Sequence, residues 1–218
     1  MLRSTFLATA GVLVGLVATA PAQNVLFDFN GGPQYSGTPL DQFSGGIRAH
    51  FTGTGSGYSI QDIAQVIGVL PTGFSGLGLS PNSVFGADLL ISFWDAMTGA
   101  AQYLDGAAIL TAPQELACDS SSTMRISAYD GTTLVGSTTA ISNDQNFTWP
   151  MIDLSFASTL PFDNVVIHFE SGPPTGGDWG PIFVADNLTV TPSPAPEPSA
   201  FAGLTIGLIA ILRLRRAR

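Results

Sequence analysis

The stretch Thr123-Met-Arg-Ile-Ser-Ala-Tyr129, followed by Asp130-Gly131 and then by Thr133-Leu-Val-Gly-Ser-Thr138, decides the fold class. In its first segment, apolar side chains at positions 124, 126 and 128 alternate with Arg125, Ser127 and Tyr129. Such alternation is typical of a strand with one buried face. An Asp-Gly pair between two segments of this kind signals a tight turn. We therefore predict a β-hairpin, with Tyr129 on its outward face.

Short segments of the same kind precede and follow the hairpin, separated by Gly and Pro. We predict further strands at residues 25–30, 46–51, 89–94, 107–111, 147–149, 151–156, 164–169 and 183–190. We expect a loop between the first two of these strands. Many short strands joined by turns favour an all-β sandwich or barrel rather than a layered α/β fold, and of these we predict an antiparallel β-sandwich.

One segment, residues 59–70, has helical spacing. Ile60, Ile63 and Ile67 fall on one face, and Ser59 with Asp62 forms a capping pattern. Its end, residues 66–70, is equally compatible with a strand. Glycines at positions 73, 76 and 78 are predicted to interrupt any regular element that follows.

Both ends of the chain have the composition of targeting segments. Residues 1–22 contain Arg3, an apolar run and a small-residue site before Gln23, which is typical of a secretory signal peptide. A β-sandwich domain is expected at 23–191, because fewer than 170 residues suit one domain. A Pro-rich linker at 192–199, an apolar membrane segment at 200–212 and a basic cytoplasmic tail at 213–218 follow. The apolar stretch spans a bilayer only marginally, since thirteen helical residues cover ~20 Å of a ~30 Å layer.

The last part of the chain resembles the PEP-CTERM sorting signal of exported bacterial proteins. The resemblance rests on a Pro-Glu-Pro motif, a short apolar helix and a terminal arginine cluster in that order; its residues are Pro196, Glu197, Pro198, Ser199, Arg213, Arg215, Arg216 and Arg218. It implies delivery by the Sec machinery and processing by an exosortase-type membrane protease. The implied destination is the cell surface or an exopolysaccharide matrix. An ordinary tail anchor with a proline-rich stalk is the alternative.

The charge of the central region excludes one class of partner. Residues 23–191 contain fifteen carboxylates but only Arg48 and Arg125 as permanent cations, which gives a net charge of −13. This field repels phosphate backbones, so we expect no nucleic acid among the partners. It suits cations and neutral ligands. Cys118 is the only cysteine, so the domain must fold without an intrachain disulfide.

Several central segments resemble jelly-roll sandwiches of the carbohydrate-binding-module type. They are residues 27–29 with 37–40, residues 128–131 with 134–136, and residues 184–190. In such modules a structural calcium often joins the first and last strands, which makes Asp28 and Asp186 the candidate ligands. Strand parity independently predicts that Asp186 points to the core with Val184 and Leu188, where a bare carboxylate is costly. An ion pair with either arginine, or exposure at the strand end, is the alternative to calcium.

The motifs of common hydrolases are missing from the sequence. We predict no catalytic residue and no cofactor apart from the candidate calcium. His50 and His168 are interpreted as structural or surface residues. Glu170, near Asp178 and Trp179 across a Gly-Pro-rich loop, leaves an extracellular glycoside hydrolase as an alternative.

Aromatic residues suggest a ligand. Tyr129 on the hairpin and Trp179 in a glycine-rich loop are the candidate sugar-stacking residues, chosen from a larger set of Trp and Tyr side chains. The sequence therefore predicts an exported, non-enzymatic surface or matrix protein that associates with polysaccharide. A purely structural surface protein without a specific ligand is the remaining alternative.

Overall fold

The computed structural model describes residues 23–113, 122–142, 151–171 and 182–194. Their strands lie within one compact unit, residues 22–193, and form two antiparallel six-stranded sheets. This confirms the prediction of an all-β, two-sheet sandwich with one short helix. The described ranges hold no helix long and apolar enough to cross a membrane. The predicted signal peptide, membrane segment and basic tail lie outside these ranges.

In chain order the elements are β1 (Val25–Phe27), β2 (Leu40–Ser44), β3 (Ile47–Gly53), β4 (Tyr58–Asp62), α1 (Ile63–Ile67), β5 (Leu77–Pro81), β6 (Leu89–Asp95), β7 (Leu104–Pro113), β8 (Thr123–Asp130), β9 (Thr133–Ile141), β10 (Ile152–Phe162), β11 (Asn164–Ser171) and β12 (Phe183–Pro192). Sheet A has the order β10-β7-β12-β5-β4, and β1 also pairs with β12. Sheet B has the order β2-β3-β6-β11-β8-β9. Consecutive strands therefore cross repeatedly between the two sheets.

The hairpin that decided the fold class is present as β8 and β9. Asp130 pairs with Thr133 across the predicted turn, and Gly131 has a φ of +56°. Met124, Ile126 and Ala128 of β8 are buried in the core, and Tyr129 lies on the outer face as predicted. Local sequence was sufficient to predict the hairpin, although Gly131 and Thr132 form the turn and the register shifts between Ala128 and Tyr129.

A second hairpin, β2 with β3, replaces the loop predicted in this region. Gly45 and Gly46 connect the strands with φ values of +53° and +80°. Positive φ at both turn positions matches the right-handed twist of the flanking strands. The segment 40–44 contains only two large apolar residues, so its strand character depends on pairing with β3.

The core lies between the inner faces of the sheets. Its largest fully buried side chains are aromatic and aliphatic: Phe29, Phe51, Tyr58, Phe93, Phe162, Phe183, Leu79, Leu89, Ile91, Leu104 and Ile109. A smaller cluster of Ile63, Phe74, Ala112 and Val184 packs on the outer side of sheet A. Helix α1 and the segment before β5 therefore cover part of that outer side.

The predicted helix is half right. Residues 58–62 form β4, where Ile60 pairs with Leu79, and α1 begins only at Ile63. Asp62, not Ser59, caps the helix by accepting a hydrogen bond from the Gln65 amide. Gly68 ends it with a φ of +79°. Tertiary pairing with β5 overrides the helical spacing, because Ile60 gains more from the sandwich core than from a short exposed helix.

Gly78 lies inside β5, contrary to the predicted interruption. A Cβ atom there would lie 2.9 Å from the carbonyl oxygen of Ala185 and 3.0 Å from the Ile63 side chain. Glycine is needed because the neighbouring backbone and α1 approach closely, as is common for glycine within strands.

A β-bulge divides β12. Asn187 has a φ of +51°, and the register with β7 shifts between Asp186 and Thr189. Val184 therefore belongs to the small outer cluster, whereas Leu188 and Val190 belong to the main core. The parity prediction that placed Asp186 on the core face is wrong for this reason, since an extra residue reverses the side-chain alternation.

Strand β10 continues through Pro161 to Phe162, and Asp163 alone separates it from β11. The strand predicted at residues 147–149, with Cys118, Asp178 and Trp179, lies outside the described residues.

Candidate functional site

Three side chains on the outer face of sheet B lie in one cross-strand row. Phe43 is opposite Arg48, and Arg48 is opposite Trp94. Phe43 is 65 % exposed, and the Arg48 guanidinium carbon lies 4.5 Å from the centre of the Trp94 ring. A guanidinium over an indole face is a cation–π contact, which holds the flexible arginine in place. The row therefore presents a cation between two aromatic rings.

The neighbouring row adds polar groups. His50 Nδ1 lies 2.7 Å from Asp41 Oδ1, and the His50 ring meets Trp94 edge to face with a centroid separation of 5.7 Å. The same row continues through Ser92 and Asn164 to Tyr129. We call Asp41, Phe43, Arg48, His50 and Trp94 the platform.

Alternation along the strands explains the position of the platform. Ile47, Ala49 and Phe51 of β3 are buried, so Arg48 and His50 must face outward. Phe93 is likewise buried on β6, which turns Trp94 outward. The short glycine turn between β2 and β3 then fixes the register that brings Phe43 beside Arg48.

A salt bridge and a histidine–carboxylate contact occupy the opposite part of the same face. Arg125 lies 2.7 Å from Glu170, and His168 lies 2.6 Å from Asp88. Glu170, the carboxylate of the hydrolase alternative, is thus engaged by an arginine. Its proposed partners Asp178 and Trp179 are not among the described residues.

A cleft of about 590 Å³ opens at the edge of the sandwich beside the platform. It lies between the β1 end of sheet A and the β2 edge of sheet B, and the Gly31-Gly32-Pro33 loop borders it. Asp41 and Phe43 line the cleft as well as belonging to the platform. Its volume falls in the range of small-molecule sites, roughly 300–1,000 Å³.

Of the candidate metal ligands, Asp28 directly follows the first strand, β1, and Asp186 lies in the last strand, β12. Asp186 is fully buried and accepts hydrogen bonds from the Ser75 amide at 2.7 Å, the Ser75 hydroxyl at 2.9 Å and the Asn187 amide at 2.7 Å. The Ser75 hydroxyl lies 3.4 Å from the Asp28 carbonyl oxygen and accepts a hydrogen bond from Asn30. Both alternatives to calcium for Asp186 are therefore wrong: it is neither exposed nor paired with an arginine.

Burial raises the pKa of Asp186, and the nearby charge of Asp28 raises it further. Hydrogen bonds from Ser75 and Asn187 partly offset this by favouring the ionised form. Carboxylate, amide and carbonyl oxygens are the ligands that Ca²⁺ takes. No group of three or more His, Cys, Asp or Glu occurs within the described ranges, so the structure leaves the predicted pair of ligands untested. Calcium at this position stays a prediction.

Sequence reasoning missed the platform. The outward parity of Arg48 and Trp94 could be read from strands that were predicted. Their contact could not, because β3 and β6 are far apart in the chain and their pairing is a tertiary fact. Phe43 was missed together with its strand.

Comparison with known proteins gives structural neighbours only. No protein-family model and no curated protein matches the chain. The K1 cleaved adhesin domain of Lys-gingipain from Porphyromonas gingivalis W83 is similar at 13 % identity and a TM-score of 0.41, over 78 % of this chain and 99 % of that chain. A family 29 carbohydrate-binding module from Piromyces equi is similar at 10 % identity and a TM-score of 0.35, over 77 % and 91 %. A family 6 carbohydrate-binding module is similar at 13 % identity and a TM-score of 0.33, over 65 % and 87 %. At these values, any functional conclusion has to rest on the residues of the platform.

Proposed function

We propose that this chain is an exported, non-enzymatic protein that associates with polysaccharide through the platform. The observation that carries the proposal is the row of Phe43, Arg48 and Trp94, with the His50–Asp41 pair beside it. Aromatic rings offer an apolar surface to the faces of sugar rings, and their neighbours offer donors and acceptors for hydroxyl groups.

The arrangement suits a chain-like ligand. Phe43 and Trp94 are two strands apart, or ~10 Å, so sugar units of one chain can meet both ends of the row. Rigid strands hold these side chains, which reduces the entropy lost on binding. The adjacent cleft extends the surface past Phe43 and Asp41.

Trp94→Ala is expected to weaken polysaccharide retention about tenfold or more, because it removes an aromatic surface and frees Arg48. The measurement is affinity gel electrophoresis of the full chain against a panel of neutral and acidic polysaccharides. Phe85→Ala is the matched control, since Phe85 is also an exposed aromatic residue but lies in the connection between β5 and β6, at the other end of β6 from Trp94.

Equal retention of the unchanged protein and Trp94→Ala would remove the platform from the proposal. If no polysaccharide in the panel retards the unchanged protein, the structural alternative replaces polysaccharide association. Release of reducing sugar by the unchanged protein would instead favour the hydrolase alternative.

We further propose that the ends of the chain direct its export, membrane attachment and sorting by an exosortase-type protease. Support comes from the signal-like residues 1–22 and from the Pro-Glu-Pro motif, apolar stretch and arginines after residue 192. The acidic domain would then act at the cell surface or in the extracellular matrix.

The intact mass of the protein from its native host tests both ends at once. We expect a chain that begins near Gln23 and lacks the C-terminal arginines, because both flanking segments would be cleaved during export. A mass that retains the arginines would support the tail-anchor alternative. Full-length protein in the cytosol would contradict export altogether.

A further inference from the structure

Every Arg and His side chain in the described part of the chain lies on the outer face of sheet B. Three of these four groups have a carboxylate partner within 2.7 Å; the pairs are Arg125–Glu170, His50–Asp41 and His168–Asp88. Arg48 is the exception, because no described carboxylate lies within ion-pair distance of it. One permanent cation of the platform is therefore left without an anion.

The surroundings of Arg48 hold it ready for an anion. Its Nε atom, like that of Arg125, is shielded from solvent and has no described hydrogen-bond acceptor, and only the Arg48 guanidinium also lies against the Trp94 ring. A partly buried charge without a partner is costly, and a guanidinium binds a carboxylate through two parallel hydrogen bonds. An arginine held in one orientation loses less entropy on forming such a pair.

We infer that the polysaccharide carries carboxylate groups, as in a uronic-acid polymer, and that Arg48 pairs with one of them. This inference rests on the proposed function. Phe43 lies directly opposite Arg48, ~5 Å away between Cβ atoms, and its exposed ring can contact the sugar whose carboxylate Arg48 binds.

The net charge of −13 between residues 23 and 191 opposes any anion, but its distribution reduces the effect at this face. Three carboxylates near this face, Asp41, Asp88 and Glu170, each have a basic side chain within 2.7 Å. Carboxylates farther than ~8 Å from the ligand are largely screened at physiological ionic strength. A uronate polymer, with one charge per sugar unit, also has a lower linear charge density than duplex DNA, which carries one charge per ~1.7 Å.

The test compares free uronate polymers with their methyl esters, which keep the sugar backbone and lose the charge. Polygalacturonate and alginate, each in both forms, are presented to the full chain alongside neutral glucan and mannan. We expect the free acids to bind at least about tenfold more tightly than the esters, and Arg48→Gln to remove that preference. Binding of the free acids should also weaken as salt is added.

Arg125→Gln is the matched control, because Arg125 lies on the same face but is already paired with Glu170; the preference for free acid should survive it. Equal binding of acids and esters, or tighter binding of neutral polymers, overturns the inference and leaves the proposed function standing. Retardation by no polymer at all overturns both. If Arg48→Gln folds poorly, the comparison of acid and ester on the unchanged protein decides the question alone.

Discussion

Phe51→Ala is expected to lower the free energy of unfolding by ~3–5 kcal/mol. Phe51 has no solvent exposure, and its ring packs edge to face on Phe29 with a centroid separation of 5.1 Å. The substitution leaves a cavity between the two sheets, at a position where rigid strands cannot close around it. Chemical denaturation of the full chain, followed by tryptophan fluorescence, measures the change.

The matched control is Phe43→Ala on the neighbouring strand. Phe43 is largely exposed, so its truncation should change the free energy of unfolding by less than ~0.5 kcal/mol while weakening polysaccharide binding. Similar losses of stability for both variants would show that the sandwich core is not where the structure places it.

Asp186→Ala is the second large effect, with an expected loss of ~2–5 kcal/mol at neutral pH. The variant leaves the amides of Ser75 and Asn187 without their acceptor, and each unsatisfied buried donor costs ~1–3 kcal/mol. Asp186→Asn retains a side-chain oxygen and should lose less. A loss as small as that of a surface substitution would contradict the hydrogen-bonded position of Asp186.

The pH dependence of the same site has a definite sign. Burial raises the pKa of Asp186 in the folded state above the ordinary value of ~3.9. At any pH between the ordinary pKa and the raised pKa, the folded protein therefore binds more protons than the unfolded chain. The free energy of unfolding therefore falls as pH rises through the raised pKa. Relative to Asp186→Asn, the unchanged protein should gain stability as pH is lowered through that window. The opposite slope would contradict the assignment.

Calcium would change this behaviour. A bound divalent cation stabilises the ionised carboxylates of Asp28 and Asp186, so it should raise the melting temperature and remove the pH dependence. The comparison is a thermal melt with calcium and with a chelator, on the unchanged protein and on Asp28→Asn. If neither calcium nor the chelator changes the melting temperature, the two aspartates do not form a metal site.

The sequence was most informative where structure is local. The β8–β9 hairpin follows from period-two alternation and an Asp-Gly turn, and both of these act within a few residues. It was less informative for the segment 59–70, where helical spacing competed with pairing to β5. Nothing within that segment reveals a partner almost twenty residues away.

The sequence likewise predicted one part of the candidate sites and missed the other. Asp28 and Asp186 were chosen from a resemblance, and the structure places the Asp28 carbonyl oxygen 3.4 Å from the Ser75 hydroxyl that donates to Asp186. The reason given for Asp186 failed, because a bulge at Asn187 reverses parity without any clear signal in the strand. The platform needed β2, β3 and β6 in register, and β2 itself becomes a strand only through that pairing.

The sequence by itself determined an acidic all-β domain between two targeting-like ends, because composition, alternation and turn residues act locally or on average. Only the tertiary structure decided that Arg48 lies between Phe43 and Trp94 with no carboxylate of the described residues in ion-pair range, and that Asp186 accepts hydrogen bonds from Ser75. These contacts depend on strand order and register. Strand order and register are set by the free energy of packing summed over many core residues, so no short stretch of the chain encodes either of them.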